Sequence, residues 1–118
     1  MQRKTLKYVF DMKAAAEKIQ RFVVDKSEAD YLASELLQSA VERQFEVIGE
    51  AMGKLHKVDP GVAESIADYK KMIAFRNVLI HGYATIDPLI VWGVIDSNLE
   101  NLVMQTTEIL DDAKSGAD

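Results

Sequence analysis

Apolar residues recur every three or four positions along most of this chain, which is the spacing of amphipathic α-helices. The first predicted helix runs from about Lys4 to Val24, and the second and longest from about Glu28 to Lys57. A third covers roughly Ile66 to Ile80, and the last runs from Pro88 to about Lys114. The tail Ser115–Asp118 is expected to fray. No segment has the alternating pattern of a strand, so the chain is predicted to be all-α.

Helix starts are marked by polar residues that can cap a first turn. Asp59-Pro60 and Asp87-Pro88 each place an N-cap aspartate before a proline at the first helical position. Ser27, with Asp30 three residues later, resembles a capping box. Gly61 limits the helix after Pro60 to a turn or two. Four helices with short connections pack most simply as an antiparallel four-helix bundle, here with a short extra helix, in a single domain over residues 1–118.

The predicted core is the apolar stripe of each helix. In the first helix this stripe includes Val9, Phe10 and Ile19, and in the second it includes Leu32 and Leu36.

Composition narrows the classes of protein that remain. The chain has no cysteine, so it can form neither a disulfide nor a thiolate metal site. No apolar stretch follows the basic start, and no apolar run could span a bilayer, so a cytoplasmic protein is expected. The net charge is −5, so any nucleic-acid contact must be local. The clusters Arg3-Lys4-Lys7 and Lys70-Lys71-Arg76 are interpreted first as solvated helix faces.

One stretch, residues 76–83, breaks the apolar pattern with several chemically capable side chains. Arg76 falls on the core-facing row of the third helix, and a buried guanidinium needs a carboxylate partner or an opening to solvent. On an unbroken helix Arg76 and His81 lie about 140° apart. A ligand could meet both only if the helix loosens near His81 or if a second chain contributes. Gly82 is expected to end the helix, because glycine tolerates the left-handed C-cap conformation.

These residue types suit metal-independent phosphodiester chemistry. A histidine that titrates near neutrality can act as a general base, and an arginine can hold phosphate oxygens with its planar fork. Asn77 could orient a phosphate or the imidazole. The 2′-hydroxyl of RNA can then attack its own adjacent phosphate. By residue type alone, such a set is more often a structural hydrogen-bond network than an active site.

The spacing Arg76-x4-His81-x-Tyr83 resembles the Arg-x4-His-x-Tyr signature of HEPN-domain toxins of the HepT family. Residues 40–51 resemble the second-helix motif of that family, and residues 86–92 resemble its passage into the last helix. The resemblance implies a HEPN-type bundle and a metal-independent endoribonuclease toxin that cleaves tRNA or mRNA without a cofactor.

The resemblance also assigns roles to individual residues and partners. Arg76 and His81 would be catalytic, with Asn77 in support, and the RNA would meet two signatures in the cleft of a homodimer. The implied partner is a small MNT-type nucleotidyltransferase antitoxin that attaches AMP to Tyr83. AMP at Tyr83 would bring bulk and negative charge into the site.

Several other polar residues have two interpretations each. Arg43, Glu46 and Glu50 share a face of the second helix, either as a surface ion network or with one glutamate pairing with Arg76 or orienting His81. His56 is interpreted as a C-terminal helix residue and Trp92 as core or interface packing. The spacing of the two histidines fits no metal site.

Two non-enzymatic hypotheses remain beside the ribonuclease. The chain could be a non-catalytic helical binding subunit of a small nucleotidyltransferase, which the acidic composition favours. It could also be a purely structural dimer, but that hypothesis leaves Arg76 on the apolar row unexplained.

Overall fold

A computed structural model describes residues 1–82 and 86–116 of the chain. The helices are α1 (Arg3–Val23), α2 (Glu28–Leu32), α3 (Glu35–Val58), α4 (Pro60–Ser65), α5 (Tyr69–His81), α6 (Pro88–Val94) and α7 (Glu100–Ser115), with a π-helical turn at Ile95–Leu99 between the last two. No strand occurs in the described residues. The predicted all-α class is therefore confirmed.

Contacts between helix ends show that neighbouring long helices are antiparallel. Thr5 at the start of α1 donates a hydrogen bond to Asp59 just after α3, at 3.2 Å. His56 near the end of α3 stacks on Tyr69 at the start of α5, with 5.5 Å between ring centroids. Leu6 of α1 and Leu110 of α7 line one groove. These contacts confirm the predicted antiparallel packing.

The main packing follows the order α7, α1, α3, α5, with α3 as the principal neighbour of α5. The molecule measures 49 × 30 × 19 Å, so its shortest dimension is about two helix diameters. The core is formed by apolar side chains from every helix. Its fully buried members include Val9, Met12, Ala16, Ile19, Tyr31, Val41, Ile48, Met52, Leu55, Ile66 and Val91.

The predicted helix starts are confirmed where capping residues marked them. Ser27 and Asp30 form a capping box. The carboxylate of Asp59 accepts from the backbone N–H of Val62 at 3.3 Å, and that of Asp87 accepts from Leu89 at 2.9 Å. α4 is the predicted short turn, because Ile66 leaves the helix in an extended conformation.

The predicted second helix, Glu28 to Lys57, is wrong as a single element. It ends at Leu32, and α3 begins at Glu35 after the hydroxyl of Ser34 caps the new helix by accepting from the Leu37 N–H at 3.1 Å. Because of this corner, Leu36 is 83% exposed and Leu32 is also exposed. The prediction that both residues belong to the core is therefore wrong. Phe10 is also exposed, at 59%.

The third and fourth predicted helices need smaller corrections. α5 begins at Tyr69 rather than Ile66, because Asp68 adopts a left-handed backbone conformation (φ 64°) that precedes the first turn. The last predicted helix contains the π-helical turn, which its periodicity did not indicate. The tail was predicted to fray from Ser115, but Ser115 is the last residue of α7 and the N–H of Gly116 donates to the carbonyl oxygen of Asp112 at 2.9 Å. The last two residues of the predicted tail, 117–118, lie outside the described residues. No described helix is both long and apolar enough to cross a membrane.

Candidate functional site

Arg76 lies at a close crossing of α3 and α5. A Cβ atom placed on Gly49 of α3 would overlap the Cβ of Arg76 and would lie 2.8 Å from the carbonyl oxygen of Met72. Only a glycine therefore fits at this crossing without movement of the helices. The phenyl rings of Phe45 and Phe75 meet edge to face nearby, with 5.2 Å between centroids, and hold the same pair of helices together.

Gly49 is a positioning residue that the sequence interpretation did not identify. Glycine inside a helix costs about 1 kcal/mol relative to alanine, so a helical glycine away from the ends usually has a packing reason. This cost was the feature of the sequence from which close packing at Gly49 could have been predicted. Gly53, four residues later in the same helix, meets no such constraint, because a Cβ atom placed there would have no neighbour within 4 Å.

The guanidinium of Arg76 is half-buried and only partly satisfied. Its Nη1 donates to the side-chain oxygen of Asn77 at 3.3 Å, whereas its buried Nε finds no hydrogen-bond partner in the described part of the chain. No described carboxylate forms an ion pair with it. The side chain instead borders an open groove, which is the second of the two alternatives predicted for an arginine on this row.

This Arg76 groove lies between α3 and α5 and has a volume of about 350 Å³. Its walls include Gly49, Glu50, Lys54 and Lys57 from α3 and Ile73 and Asn77 from α5. Lysine and arginine side chains on both walls make the groove a suitable place for an anion. A guanidinium with free N–H groups in such a groove can grip phosphate oxygens.

His81 is exposed at the last position of α5, which remains α-helical up to it. It follows Arg76 by five positions, which corresponds to about 140° around the helix and about 7.5 Å along its axis. The helix does not loosen at His81, so one of the two predicted ways of bringing both side chains to one ligand is absent. Gly82 ends α5 as predicted, but with φ −72° and not in the left-handed conformation.

The three acidic and basic candidates on α3 make local ion pairs. Arg43 pairs with Glu46 at 3.3 Å, and Glu50 pairs with Lys54 at 3.3 Å, all at exposed or half-exposed positions. Neither glutamate bonds to Arg76 among the described residues, although Glu50 lines the same groove. The described contacts thus match the surface-network interpretation more closely.

Other candidates take structural positions. His56 lies in the last turn of α3, where its Nε2 is 3.5 Å from a carboxylate oxygen of Glu64. Trp92 packs on the buried ring of Tyr31, with 5.5 Å between centroids. Tyr83, the predicted modification site, lies outside the described residues. Within those residues, no three potential metal ligands converge.

Several large apolar side chains are exposed near the end of α5 and at the start of α6. Val78, one helical turn before His81, is 53% exposed, and Ile80, on a different side of α5, is 42% exposed. Leu89 and Ile90 at the start of α6 are exposed as well. Exposed large apolar side chains such as Val78 are candidates for contact with another molecule.

Comparison with known proteins identifies the family of this chain. The family model described as ribonuclease HepT-like matches residues 12–109. A protein of Thermococcus cleftensis named "Probable ribonuclease HepT" is 28% identical over 86% of this chain and 92% of its own length. A "Putative RNase" of Caldanaerobacter subterraneus subsp. tengcongensis is 32% identical over 72% of this chain and 75% of its own.

One further relative differs in length. A "Gamma-glutamylcyclotransferase and putative RNase" of Methanocaldococcus jannaschii is 29% identical over 89% of this chain, which spans only 47% of that protein. No solved structure matches the chain significantly. Because the family model covers most of the sequence, including Arg76 and His81, the chain belongs to the ribonuclease HepT-like family.

Proposed function

We propose that this chain is a metal-independent endoribonuclease toxin acting in the cytoplasm, with Arg76 and His81 as catalytic residues. The family match supports ribonuclease activity as the coarse function. The observation that carries the proposal further is the half-buried Arg76, whose Nε lacks a described partner at the edge of a cationic groove. A buried arginine with a purely structural role is expected to pair with a carboxylate. Arg76 instead donates to the side-chain amide oxygen of Asn77 and borders an open groove.

The reaction is an internal transesterification of RNA. The imidazole of His81 accepts the proton of a 2′-hydroxyl, whose oxygen attacks the adjacent phosphorus. The bond from phosphorus to the 5′-oxygen breaks, and a general acid protonates that oxygen. The products are a 2′,3′-cyclic phosphate and a 5′-hydroxyl end. No oxidant, reductant or metal ion enters this balance.

Arg76 stabilises the negative charge that develops on the phosphoryl oxygens, because its fork donates to two oxygens at once. Asn77 supports it by accepting from Nη1, which fixes the guanidinium plane. Removal of one such charge-stabilising donor lowers the rate about 10²–10³-fold in other enzymes.

A homodimer supplies what one chain lacks. Arg76 and His81 diverge on α5, and a single His81 would have to serve as base and then as acid. The exposed side chain of Val78 lies one helical turn from His81 and is available for a two-fold contact beside it. Pairing through this surface would bring two His81 side chains into one cleft.

Neutralisation is proposed to occur at Tyr83. A partner nucleotidyltransferase of the MNT type would transfer AMP from ATP to the phenol oxygen, with release of pyrophosphate. Tyr83 follows Arg76 by seven residues, so the added phosphate would compete for the cations that should receive RNA. Co-expression with the nucleotidyltransferase should add AMP units to the intact mass, and peptide mapping should locate them at Tyr83. Unmodified Tyr83 with AMP elsewhere would contradict this part of the proposal.

The catalytic assignment is tested with purified protein and total tRNA. Arg76→Ala and His81→Ala should each lower cleavage by at least about a hundredfold while circular dichroism stays unchanged. Arg76→Lys should also lose most activity, because an ammonium lacks the bidentate fork. EDTA should leave the wild-type rate unchanged. Cleavage that survives both alanine substitutions would contradict the proposal, and no cleavage by the wild type would favour the non-catalytic binding subunit.

A further inference from the structure

Three adjoining grooves cross the surface from α7 to α5, and the first is the outer groove between α1 and α7. It has a volume of about 610 Å³. Four cations, Arg3, Lys7, Lys13 and Lys114, and one carboxylate, that of Asp111, line it. The exposed ring of Phe10 lies in its apolar floor. An exposed aromatic ring with cations close to it is the combination that binds stacked bases and their phosphates.

The middle groove lies between α1 and α3 and shares Lys7 with the outer groove. Its other cations are Arg43 and Lys54. Two acidic side chains also line it, Asp11 and Glu50, and each pairs with a lysine of the same helix. The groove therefore continues the line of positive side chains from α1 to α3.

The third groove is the Arg76 groove, which shares Glu50 and Lys54 with the middle groove. It adds Lys57 and Arg76. Since each groove shares at least one residue with the next, the three form one continuous surface. We call these three grooves together the basic track.

Charge is strongly segregated on the basic track. Among the described residues, eight of the 14 lysines and arginines line it, against three of the 18 acidic residues, so its formal charge is +5 where the whole chain carries −5. An acidic protein that concentrates its cations in this way presents a local site for a polyanion.

We propose that the basic track binds a single-stranded segment of RNA and leads it from the outer groove to Arg76. This inference rests on the proposed function for the identity of the polyanion. The track crosses two helix spacings, about 16–20 Å, a length that fits on the order of five nucleotides of a strand that stays stacked at about 3.4 Å each. Phe10 offers a platform for an unpaired base, which favours a single strand over a duplex.

The ion pairs along the basic track do not prevent the binding of RNA. Each cation of the middle groove pairs with a carboxylate of its own helix, Lys7 with Asp11, Arg43 with Glu46 and Lys54 with Glu50, and such surface pairs contribute little to stability. A phosphate can therefore replace the carboxylate at these cations. Both basic clusters of the sequence are divided by the track: Arg3, Lys7 and Arg76 line it, and Lys4, Lys70 and Lys71 do not.

The test compares two triple substitutions with the same charge loss. Arg3→Gln, Lys13→Gln and Lys114→Gln together alter the outer groove, far from Arg76 in the order of helices. The matched control changes one arginine and two lysines at exposed positions off the track: Lys18→Gln, Arg21→Gln and Lys26→Gln. The probe is a fluorescein-labelled 2′-O-methyl oligouridylate of about 12 residues, within the size of single-strand sites. It cannot be cleaved, because its 2′-oxygens are methylated.

Fluorescence anisotropy should show about tenfold weaker binding for the outer-groove triple, and its slope of log affinity against log salt should fall by about 2. The control triple should stay within about twofold of the wild type. Phe10→Leu should weaken binding several-fold without changing the salt slope, because it removes stacking and no charge. If the outer-groove triple variant unfolds, the single variants Lys13→Gln and Lys114→Gln are compared with the wild type instead.

Equal weakening by the two triples, or none by either, would overturn the basic track. Such a result would leave the outer groove as a surface for an acidic protein partner or for solvent alone. The proposed function fails differently, namely if the wild type binds the probe along the track but does not cleave unmodified RNA. Binding and cleavage are measured on different RNAs, so each proposal is judged by its own result.

Discussion

Arg76 occupies a position that the apolar pattern of α5 assigns to the core, and the structure resolves this conflict with a groove. The pattern alone predicted that the guanidinium needs a partner or an opening. It could not predict which, because the groove depends on Gly49 and Lys57 of another helix. The sequence thus identified the unusual residue, and packing supplied its surroundings.

Replacement of Gly49 by alanine tests the helix crossing that positions Arg76. The new methyl group would overlap Arg76, so α3 and α5 must separate, and the free energy of unfolding should fall by about 1–3 kcal/mol. RNA cleavage should fall as well, because the guanidinium moves. Urea denaturation and a cleavage assay measure the two effects.

Gly53→Ala is the matched control, because it lies in the same helix and borders the same groove with free space at its Cβ. It should raise the free energy of unfolding by up to about 1 kcal/mol. Equal effects of the two substitutions would contradict the close crossing.

Glu42 carries a pH-dependent contribution to stability. Burial, with a smaller contribution from the nearby Glu46 carboxylate, raises the pKa of Glu42 above its usual 4.5. The folded state therefore holds this proton more tightly than the unfolded state, and the free energy of unfolding falls as pH rises from 4.5 through the raised pKa. Glu42→Gln should thus raise the melting temperature at pH 7, and the difference should vanish below pH 4.5. An unchanged melting temperature at about pH 7, or the same gain from Glu108→Gln at an exposed position, would contradict this cause.

At the scale of elements, three of the four helix starts that a side chain caps in the described residues were predicted. Ser27, Asp59 and Asp87 all act as predicted. The break between α2 and α3 was not predicted, because the apolar spacing of Leu32, Leu36 and Leu37 continues across it. Ser34 is the cap that was overlooked, and the exposure of Leu36 shows that the spacing there does not report burial.

Asp59 contacts three elements, so the removal of its side chain should lower the free energy of unfolding more than the removal of an ordinary helix cap. Its carboxylate caps α4 and also accepts from the buried hydroxyl of Thr5 at the start of α1. Asp59→Ala should lower the free energy of unfolding by about 2 kcal/mol or more, because it removes a cap and leaves a buried hydroxyl unpaired. Asp87→Ala removes only a cap, so about 1 kcal/mol is expected. Equal losses in urea denaturation would show that the Thr5 contact contributes nothing.

For the whole molecule, the fold class and the antiparallel packing followed from periodicity and short connections. The order of helices did not, because periodicity reports that a face is apolar and not which helix covers it. That order leaves one side of α5 exposed, with Val78 beside His81. The surface that the proposed dimer requires is therefore visible only in three dimensions.

A charge placed on this surface should separate the proposed dimer. Wild-type protein should be dimeric at micromolar concentration, and Val78→Glu should be monomeric, because pairing would bury the new carboxylate. Met104→Glu, at 52% exposure against 53% for Val78, is the matched control and should remain dimeric. Light scattering coupled to size-exclusion chromatography measures both. A monomeric wild type, or identical behaviour of the two variants, would contradict the shared cleft.

Arg76 and His81 are proposed to cut RNA by attack of its own 2′-hydroxyl, and the chemistry of the product ends reports this directly. The measurement is the chemical identity of the new RNA ends that the pure protein forms in EDTA. We expect 2′,3′-cyclic phosphate and 5′-hydroxyl ends, formed at least about a hundredfold more slowly by His81→Ala. Ends bearing a 3′-hydroxyl, or cyclic ends formed equally fast by His81→Ala, would contradict the proposed mechanism.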